Sequence, residues 1–294
     1  MRRIDAESRV GAVRRPPRIR RVTRRRRLNR AAAHVPLLLI ALAIAFPVLW
    51  AVATSFKPTQ VLYDLDPFAA APTLEHYRSA TAALPVGRTV LNTVVVSAAV
   101  AIGQLVLATL AAFGLTLYRF RGRPVVFAVL VGTALVPQPA LIVPHYLMVS
   151  RLGLLDSYAG LVLPQLASLA LAVFLLRQHM AAFPRELIES ARVAGASDRM
   201  ILLRIIVPNL RPILTAVGIV VFIQTWNEYL WPLLATSGMD RATVQVGLRV
   251  FQTEQGQAWG PLMAAATLVA APLLVGYVLM QRRVTDAFLH SGID

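Results

Sequence analysis

Long stretches without a charged residue constrain this chain more than any other feature. Five segments contain no Asp, Glu, Lys or Arg: 31–56, 89–118, 124–150, 157–176 and 255–281. A sixth, 212–239, is interrupted only by Glu228. A helix needs roughly 20 apolar residues to cross the hydrocarbon core of a bilayer. The pattern therefore predicts an all-α polytopic membrane protein with six transmembrane helices.

The placement of basic residues predicts the orientation of these spans. An even number of spans puts both termini on one side, together with the loops 119–123 and 177–211. The four segments on that side carry 24 of the 30 basic residues. Cytoplasmic segments of membrane proteins are enriched in Lys and Arg. We therefore expect both termini in the cytoplasm (N-in, C-in).

Charge and hydropathy divide the chain into three regions. We predict an Arg-rich cytoplasmic tail over 1–30, a six-span transmembrane domain over 31–281 and a short cytoplasmic tail over 282–294. The first region holds thirteen arginines, which anionic lipid headgroups attract. A cleaved signal peptide is the alternative for the N-terminus, but the following apolar run is longer than a usual signal sequence has. Nucleic-acid binding is disfavoured because no aromatic or fold motif accompanies the charge.

Enzymatic chemistry is not supported by the residue types present. Cysteine is absent, which excludes disulfides, thiolate metal sites and cysteine nucleophiles. The single lysine, Lys57, precedes Pro58, so no glycine-rich loop ending in Lys-Ser or Lys-Thr can bind ATP. The five histidines lie far apart along the chain and form no local metal-ligand pair. We expect no catalytic residue, metal or cofactor on this chain.

The longest loop on the basic side, 177–211, has the signals of two short helices. Pro184 favours the first turn of a helix, and acidic residues follow it at the positive end of the helix dipole. Gly195 predicts the end of that helix. Ser197 is a suitable N-cap for a second helix. An ordinary amphipathic loop at the membrane surface fits the same pattern on physical grounds alone.

The order of residues in this loop resembles a known family. Glu189-Ser190-Ala191, Gly195-Ala196 and Pro208 are similar to the EAA loop of permease subunits in bacterial ATP-binding-cassette importers. In that family three residues separate Glu-Ala-Ala from a Gly. A Pro then stands thirteen positions after that Gly, as Pro208 stands after Gly195 here. Ser190 and Ala194 depart from the usual Ala and Asp.

The resemblance implies a cytoplasmic coupling loop, over about 178–209, that contacts an ATPase. The implied coupling residues are Glu186, Glu189, Ser190, Ala191, Ala194, Gly195, Ala196 and Pro208. In this interpretation Glu189 pairs with a basic group on the ATPase and Gly195 supplies the turn between the two helices. Pro208 and the next span transmit the movement.

Further segments resemble the carbohydrate-importer branch, specifically the second permease of maltose and glycerol-3-phosphate systems. They are Ser55-Phe56-Lys57-Pro58, Leu91-Asn92-Thr93, Phe120-Arg121-Gly122-Arg123, residues 152–158, Trp226-Asn227-Glu228-Tyr229 and Trp259-Gly260. Each is weakly specific, but their order along the chain is that of the branch. The last seven residues depart from the usual ending of this branch, which leaves a contact of the tail with the ATPase open.

The resemblance implies the fold of a type I importer permease in the bacterial cytoplasmic membrane. Its implied partners are a second permease, two ATPase subunits that bind ATP and Mg²⁺, and an extracytoplasmic solute-binding protein. The solute would be a sugar or a glycerol-phosphate compound. One alternative is an importer of amino acids, peptides or oxyanions. The other, a self-sufficient secondary transporter, would need an internal inverted repeat and further buried charges, which the sequence lacks.

Polar residues within the predicted spans are candidates for the solute pathway. They are Asn92, Ser97, Gln104, Trp226, Asn227 and Glu228. Hydrogen bonding between helices is an equally good interpretation of such residues. Glu228 is the one formal charge within a span. On an unbroken helix starting near residue 210 it would lie ~27 Å along, where capping or anchoring is an alternative role.

The outer loops 57–88 and 236–258 are the expected face for the binding protein. Their polar candidates are Tyr63, Asp64, Asp66, Arg241 and residues 252–257. Solvated connecting loops are the alternative interpretation.

Overall fold

The computed structural model describes residues 24–66, 71–253 and 256–289. Predictions for residues 1–23 and 290–294 lie outside the described residues. The chain divides into two compact units, residues 1–50 and 51–294. Each unit is described by itself.

Helix α1, Arg24–Ser55, supplies the described part of the first unit and continues into the second. Its segment His34–Ser55 has a mean hydropathy of 2.6, as expected for the first predicted span. The rings of Phe46 and Trp50, one turn apart, lie 5.6 Å from each other.

The second unit is built almost entirely from helices. Its α-helices are α2 (Glu75–Ala83), α3 (Val86–Leu117), α4 (Arg123–Gly132), α5 (Ile142–Arg151), α6 (Tyr158–Val162), α7 (Ala170–Ala181), α8 (Arg185–Val193), α9 (Asp198–Met200), α10 (Val207–Asn209), α11 (Arg211–Trp226), α12 (Leu230–Ala235), α13 (Val244–Gly247) and α14 (Trp259–Leu289). Single 3₁₀ turns occupy Thr59–Val61, Thr133–Leu135, Gln138–Leu141, Pro164–Ala167 and Leu248–Phe251. A minimal antiparallel ribbon joins β1 (Gln252–Thr253) to β2 (Gly256–Gln257).

Three helices are long and apolar enough to cross a membrane unbroken, and three bent pairs pass the same test of length and composition. The unbroken segments are His34–Ser55, Val86–Leu117 and Trp259–Gly276. The bent pairs are Arg123–Leu135 with Gln138–Arg151, Tyr158–Ala167 with Ala170–Ala181, and Asp198–Asn209 with Arg211–Trp226.

The predicted spans 124–150, 157–176 and 212–239 are not single straight helices in the structure. The first is bent by 98° and the second by 53°. Within the third, α11 ends at Trp226 and α12 begins only at Leu230. Pro137 and Pro139 explain the first break, because a proline removes a backbone donor and clashes with the preceding turn. Hydropathy alone does not register such breaks, since the broken segments remain apolar.

Helix α3 is the centre of the second unit. It packs against α7 and α11, while α11 packs against α14 and α14 against α2. The main core runs along α3, where Val96, Val100, Ala108 and Ala112 are at most 1% exposed. Buried polar residues on the same helix, among them Thr93, provide hydrogen bonds to neighbouring segments.

Candidate coupling loop and solute groove

The loop after α7 folds as two helices joined by a glycine turn, as the sequence predicts. Pro184 is the N-cap of α8. Gly195 has a φ of +84°, a left-handed conformation that residues with a Cβ rarely adopt. The Ser197 Oγ then accepts a hydrogen bond of 3.3 Å from the Met200 amide and caps α9. These local predictions are confirmed.

One side of α8 is seated on the protein and the other is free. Ile188 is buried, and Ala191 and Ala196 pack against the main core. Leu187, at the edge of this packed side, is 50% exposed, and Val193, on the opposite side, is 91% exposed. Two apolar side chains of α8 are thus left uncovered by the described residues of this chain.

The predicted coupling carboxylates lie on the exposed part of α8. Glu186 and Glu189 are both exposed. Within the part of the chain that the structure describes, neither forms a salt bridge. Ser190 is exposed and donates to the Leu187 carbonyl at 3.1 Å, so its hydroxyl is satisfied within the helix. Ala194 is exposed, and its missing charge leaves no internal contact unmade.

Asp198 joins three segments, which the sequence analysis did not foresee. Its carboxylate lies 3.1 Å from the Arg192 guanidinium at the end of α8. It also accepts a hydrogen bond from the Tyr118 hydroxyl, at the C-terminus of α3. This hydrogen bond to Asp198 raises the pKa of Tyr118 above its ordinary value. Because the partners are 80 positions apart in sequence, no local pattern reveals the contact.

Pro208 lies where the loop turns into α11. A π-helical segment, Ile201–Ile206, follows α9, and Pro208 is half-buried within α10. The helical segments Asp198–Asn209 and Arg211–Trp226 are bent by 77° relative to each other. A π segment and a proline together account for this bend.

A groove of about 980 Å³ lies where three helix breaks meet. It is lined by the break between α4 and α5, the break between α6 and α7, and the break between α11 and α12. Irregular backbone at membrane depth is tolerated where it is buried in protein or lines a cavity. All three breaks therefore contribute residues to one groove.

Side-chain amides dominate the polar lining of the groove. They belong to Gln104, Gln138, Gln165, Gln224 and Asn227. Two of these amides donate hydrogen bonds to the segment between α6 and α7. The Gln104 Nε2 donates to the Gln165 carbonyl at 2.7 Å, and the Gln138 Nε2 donates to the Ser168 hydroxyl at 3.0 Å. Of these five, the sequence analysis named only Gln104 and Asn227. The other three are uncharged but polar residues in apolar segments, which is the signal that could have found them.

Glu228 lines the groove and caps the helix that follows it. One carboxylate oxygen accepts hydrogen bonds from the Leu230 amide at 3.1 Å and the Trp231 amide at 3.2 Å. The capping role proposed as the alternative is therefore present in the structure. The Trp231 indole packs edge-on against His145, with ring centroids 5.9 Å apart, and both residues line the groove.

Three of the six predicted pathway residues lie away from the groove. Asn92 is buried and donates to the carbonyls of Asp240 and Ala242 at 3.0 and 2.9 Å. Ser97 is fully buried. Trp226 is 4% exposed and packs with Val244 and Val269 in a separate cluster. The structure thus brings together Gln104, Asn227 and Glu228 but not these three residues.

A network of polar contacts holds the loops 152–158 and 236–244 against α3. The Tyr158 hydroxyl donates to the side-chain amide oxygen Oδ1 of Asn92 at 2.7 Å, and the Arg241 guanidinium lies 4.4 Å from the centre of the Tyr158 ring. Asp156 accepts hydrogen bonds from the hydroxyl and the amide of Ser237, which lower the pKa of its carboxyl. The Arg241 named in the sequence analysis as a docking candidate is therefore one of the residues that fix this surface.

Lys57 is buried and contributes a hydrogen bond within the loop that follows α1. It is 1% exposed, and its Nζ donates to the Asp64 carbonyl at 2.7 Å. Tyr63, in contrast, is 79% exposed on the same loop.

Comparisons with known proteins agree with the resemblance seen in the sequence. Residues 104–288 match the family described as the binding-protein-dependent transport system inner membrane component. The chain is 33% identical over 270 residues to the sn-glycerol-3-phosphate transport system permease protein UgpE of Brucella abortus (strain 2308), covering 87% of this chain and 95% of that protein. It is 34% identical over 268 residues to the UgpE protein of Agrobacterium fabrum, with coverage of 87% and 95%.

A solved structure has the same fold. It is a bacterial ABC transporter involved in the import of the acidic polysaccharide alginate, with a TM-score of 0.75 and 21% identity. The match covers 88% of this chain and 98% of the other. The fold, the turn at Gly195 and the family match lead to one conclusion: this chain belongs to the inner-membrane permease components of binding-protein-dependent transport systems.

Proposed function

We propose that this chain is one permease subunit of an ATP-driven importer, with six spans and both termini in the cytoplasm. It works with a second permease, two ATPase subunits and an extracytoplasmic solute-binding protein. The observation that carries the proposal is the loop around α8. Its seated inner side, exposed apolar residues and free carboxylates together suit a docking element that an ATPase can move. The family membership supplies the context for this reading.

Closure of the ATPase pair can move the permease only if the contacts of α8 differ between the open and closed states of that pair. ATP binding closes the ATPase pair, and α8 moves with the ATPase surface because it is bound there. A ligand or partner shifts a two-state equilibrium only by binding one state better than the other. Glu189, with a carboxylate free to pair with a cation on the ATPase, is the leading contact. The bend at Pro208 then carries the displacement into α11, one wall of the groove.

The solute is a sugar or a glycerol-phosphate compound; the UgpE relatives are named for sn-glycerol-3-phosphate transport, and the solved structure is of a transporter that imports alginate. Within this set the groove favours an uncharged, hydroxylated solute. Its described lining has five amides, one carboxylate and no Arg or Lys. Amides donate to and accept from hydroxyl groups, whereas phosphate is usually bound by Arg, Lys or helix N-termini. The Glu228 carboxylate repels an anion placed nearby.

Reconstitution of the assembled complex tests this function. Membrane vesicles containing both permeases and the ATPases, with the binding protein outside, should accumulate solute only when ATP is supplied inside. Transport without any nucleotide-hydrolysing partner would show a self-sufficient carrier instead. Maltose, sorbitol and sn-glycerol-3-phosphate serve as probes in parallel. Stimulation of ATP hydrolysis by a neutral probe is expected, and stimulation by the phosphate ester alone would overturn the assignment of solute class.

A further inference from the structure

Tyr118, Asp198 and Arg192 form a three-residue bridge between the coupling loop and α3. Arg192 belongs to α8, Asp198 begins α9, and Tyr118 directly follows α3. The Asp198 carboxylate uses one oxygen for the Arg192 guanidinium, at 3.1 Å, and the other for the Tyr118 hydroxyl. Hydrogen bonds in which the acceptor is ionised are among the stronger ones.

Backbone geometry and ring packing hold the two ends of the bridge in place. The Gly195 turn folds the chain back so that Arg192 and Asp198 face each other across it. On the other side, the Tyr118 amide donates to the Gly114 carbonyl, and its ring meets the Phe113 ring edge-on at 6.0 Å. Phe113 is 7% exposed and belongs to the main core. Beside the apolar packing of Ile188 and Ala191 on this core, the bridge thus gives α8 a polar connection to the end of α3.

We propose that this bridge is a second route of mechanical coupling, which links α8 directly to α3. This inference rests on the proposed function. Helix α3 contributes Gln104 to the groove, and Gln104 bonds the unwound segment between α6 and α7. A displacement carried by Tyr118 thus acts on a different groove wall from the one that Pro208 and α11 move. The two walls then separate together when the ATPase pair closes.

A purely local role for Asp198 would look different. An acidic residue in the first turn of a helix is stabilised by the helix dipole without any distant partner. Replacing Tyr118 leaves that local interaction and the Arg192 ion pair in place. Only the hydrogen bond to the Tyr118 hydroxyl is lost, while the apolar packing of Ile188 on the core remains, so Tyr118→Phe separates the two roles and keeps the ring against Phe113.

The experiment uses the complete complex in proteoliposomes and measures solute imported per ATP hydrolysed. In Tyr118→Phe we expect the ATPases to remain bound and the ratio to fall about threefold or more. The apparent KM for the solute should stay unchanged, because the groove is intact. Tyr118→Phe combined with Asp198→Ala should be no worse than Asp198→Ala alone, since Asp198→Ala already removes the acceptor for the Tyr118 hydroxyl.

Tyr146→Phe is the matched control. It makes the same substitution at a 38% exposed tyrosine of α5 outside the groove lining and the coupling loop, and it should leave the ratio unchanged. An unchanged ratio in Tyr118→Phe, with ATP-driven import intact in the unsubstituted complex, would overturn the bridge alone. Absence of ATP-driven import in the unsubstituted complex would overturn the proposed function instead.

Discussion

Gly260, at the start of α14, lies directly beneath the imidazole ring of His76. A Cβ at position 260 would fall about 2.5 Å from the ring nitrogen Nδ1, closer than van der Waals contact allows. His76 is 3% exposed on α2, so the ring has little space to move away. The Gly in the Trp259-Gly260 pair is therefore required by the packing of α2 on α14.

Gly260→Ala should accordingly destabilise the protein. Overpacking a filled site typically costs about 1–3 kcal/mol in the free energy of unfolding. The thermal denaturation midpoint of the purified complex in detergent measures this loss. Gly276→Ala is the control on the same helix, because no atom lies within 4 Å of a Cβ at that position. A fall in the Gly276→Ala variant equal to that of Gly260→Ala would argue against the contact with His76.

Asn92→Ala should reduce stability more than it affects solute recognition. The substitution leaves two carbonyls and the Tyr158 hydroxyl without their partner. Unsatisfied buried polar groups cost about 1–3 kcal/mol. Ser97→Ala is the comparison, since the Ser97 hydroxyl is buried with no hydrogen-bond partner among the described residues. The midpoint should fall for Asn92→Ala only, with an unchanged KM for the solute.

Gly195→Val should uncouple the transporter. A Cβ-branched residue at a φ of +84° is strained by about 1–2 kcal/mol, which distorts the turn between α8 and α9. Because this turn positions the surface that contacts the ATPase, we expect import to fall about tenfold while the chain still inserts. Import and ATPase co-purification are measured together.

A second glycine provides the control for backbone strain. Gly153 has a φ of +64° in the loop between α5 and α6, with open space around it. Gly153→Val introduces comparable strain away from the coupling loop and should keep most of the import. Equal losses in the two variants would assign the effect to general destabilisation rather than to coupling.

The hydrogen bonds of the Glu228 side chain and its negative charge can be tested separately. Glu228→Gln keeps a side-chain oxygen for the Leu230 and Trp231 amides, whereas Glu228→Ala removes it. Loss of a helix cap typically costs about 1 kcal/mol, so only the alanine variant should lower the denaturation midpoint. Import of a neutral sugar should persist in Glu228→Gln. Loss of import in this variant, with binding-protein docking unaffected, would assign the negative charge a direct role with solute.

The sequence predicted much of the candidate coupling loop because its determinants are local. Ser197 and Gly195 act within one turn of helix, through a cap and a left-handed φ. The same reasoning could not find the Tyr118–Asp198 contact. Nothing near either residue in sequence distinguishes that tyrosine from other residues at the end of a membrane helix.

The groove was predictable only in part. Gln104, Asn227 and Glu228 were recognised as polar residues in apolar surroundings, but so were Asn92 and Trp226, which pack elsewhere. Polarity within a span is the same signal whether a residue lines a cavity or bonds a neighbouring helix. Only the packing of α3 against α7 and α11 decides between the two.

The sequence by itself determined that the chain is a helical membrane protein. The length of an apolar segment sets its preference for the bilayer over water, and a capping residue acts on the backbone next to it, so neither depends on distant residues. The spacing of Glu189, Gly195 and Pro208 that is typical of the family was likewise recognisable from the sequence alone. Tertiary structure alone decided that three apolar segments break and that their breaks converge on one groove. Convergence depends on which helix faces meet across the core, and that is settled by packing between residues distant in sequence.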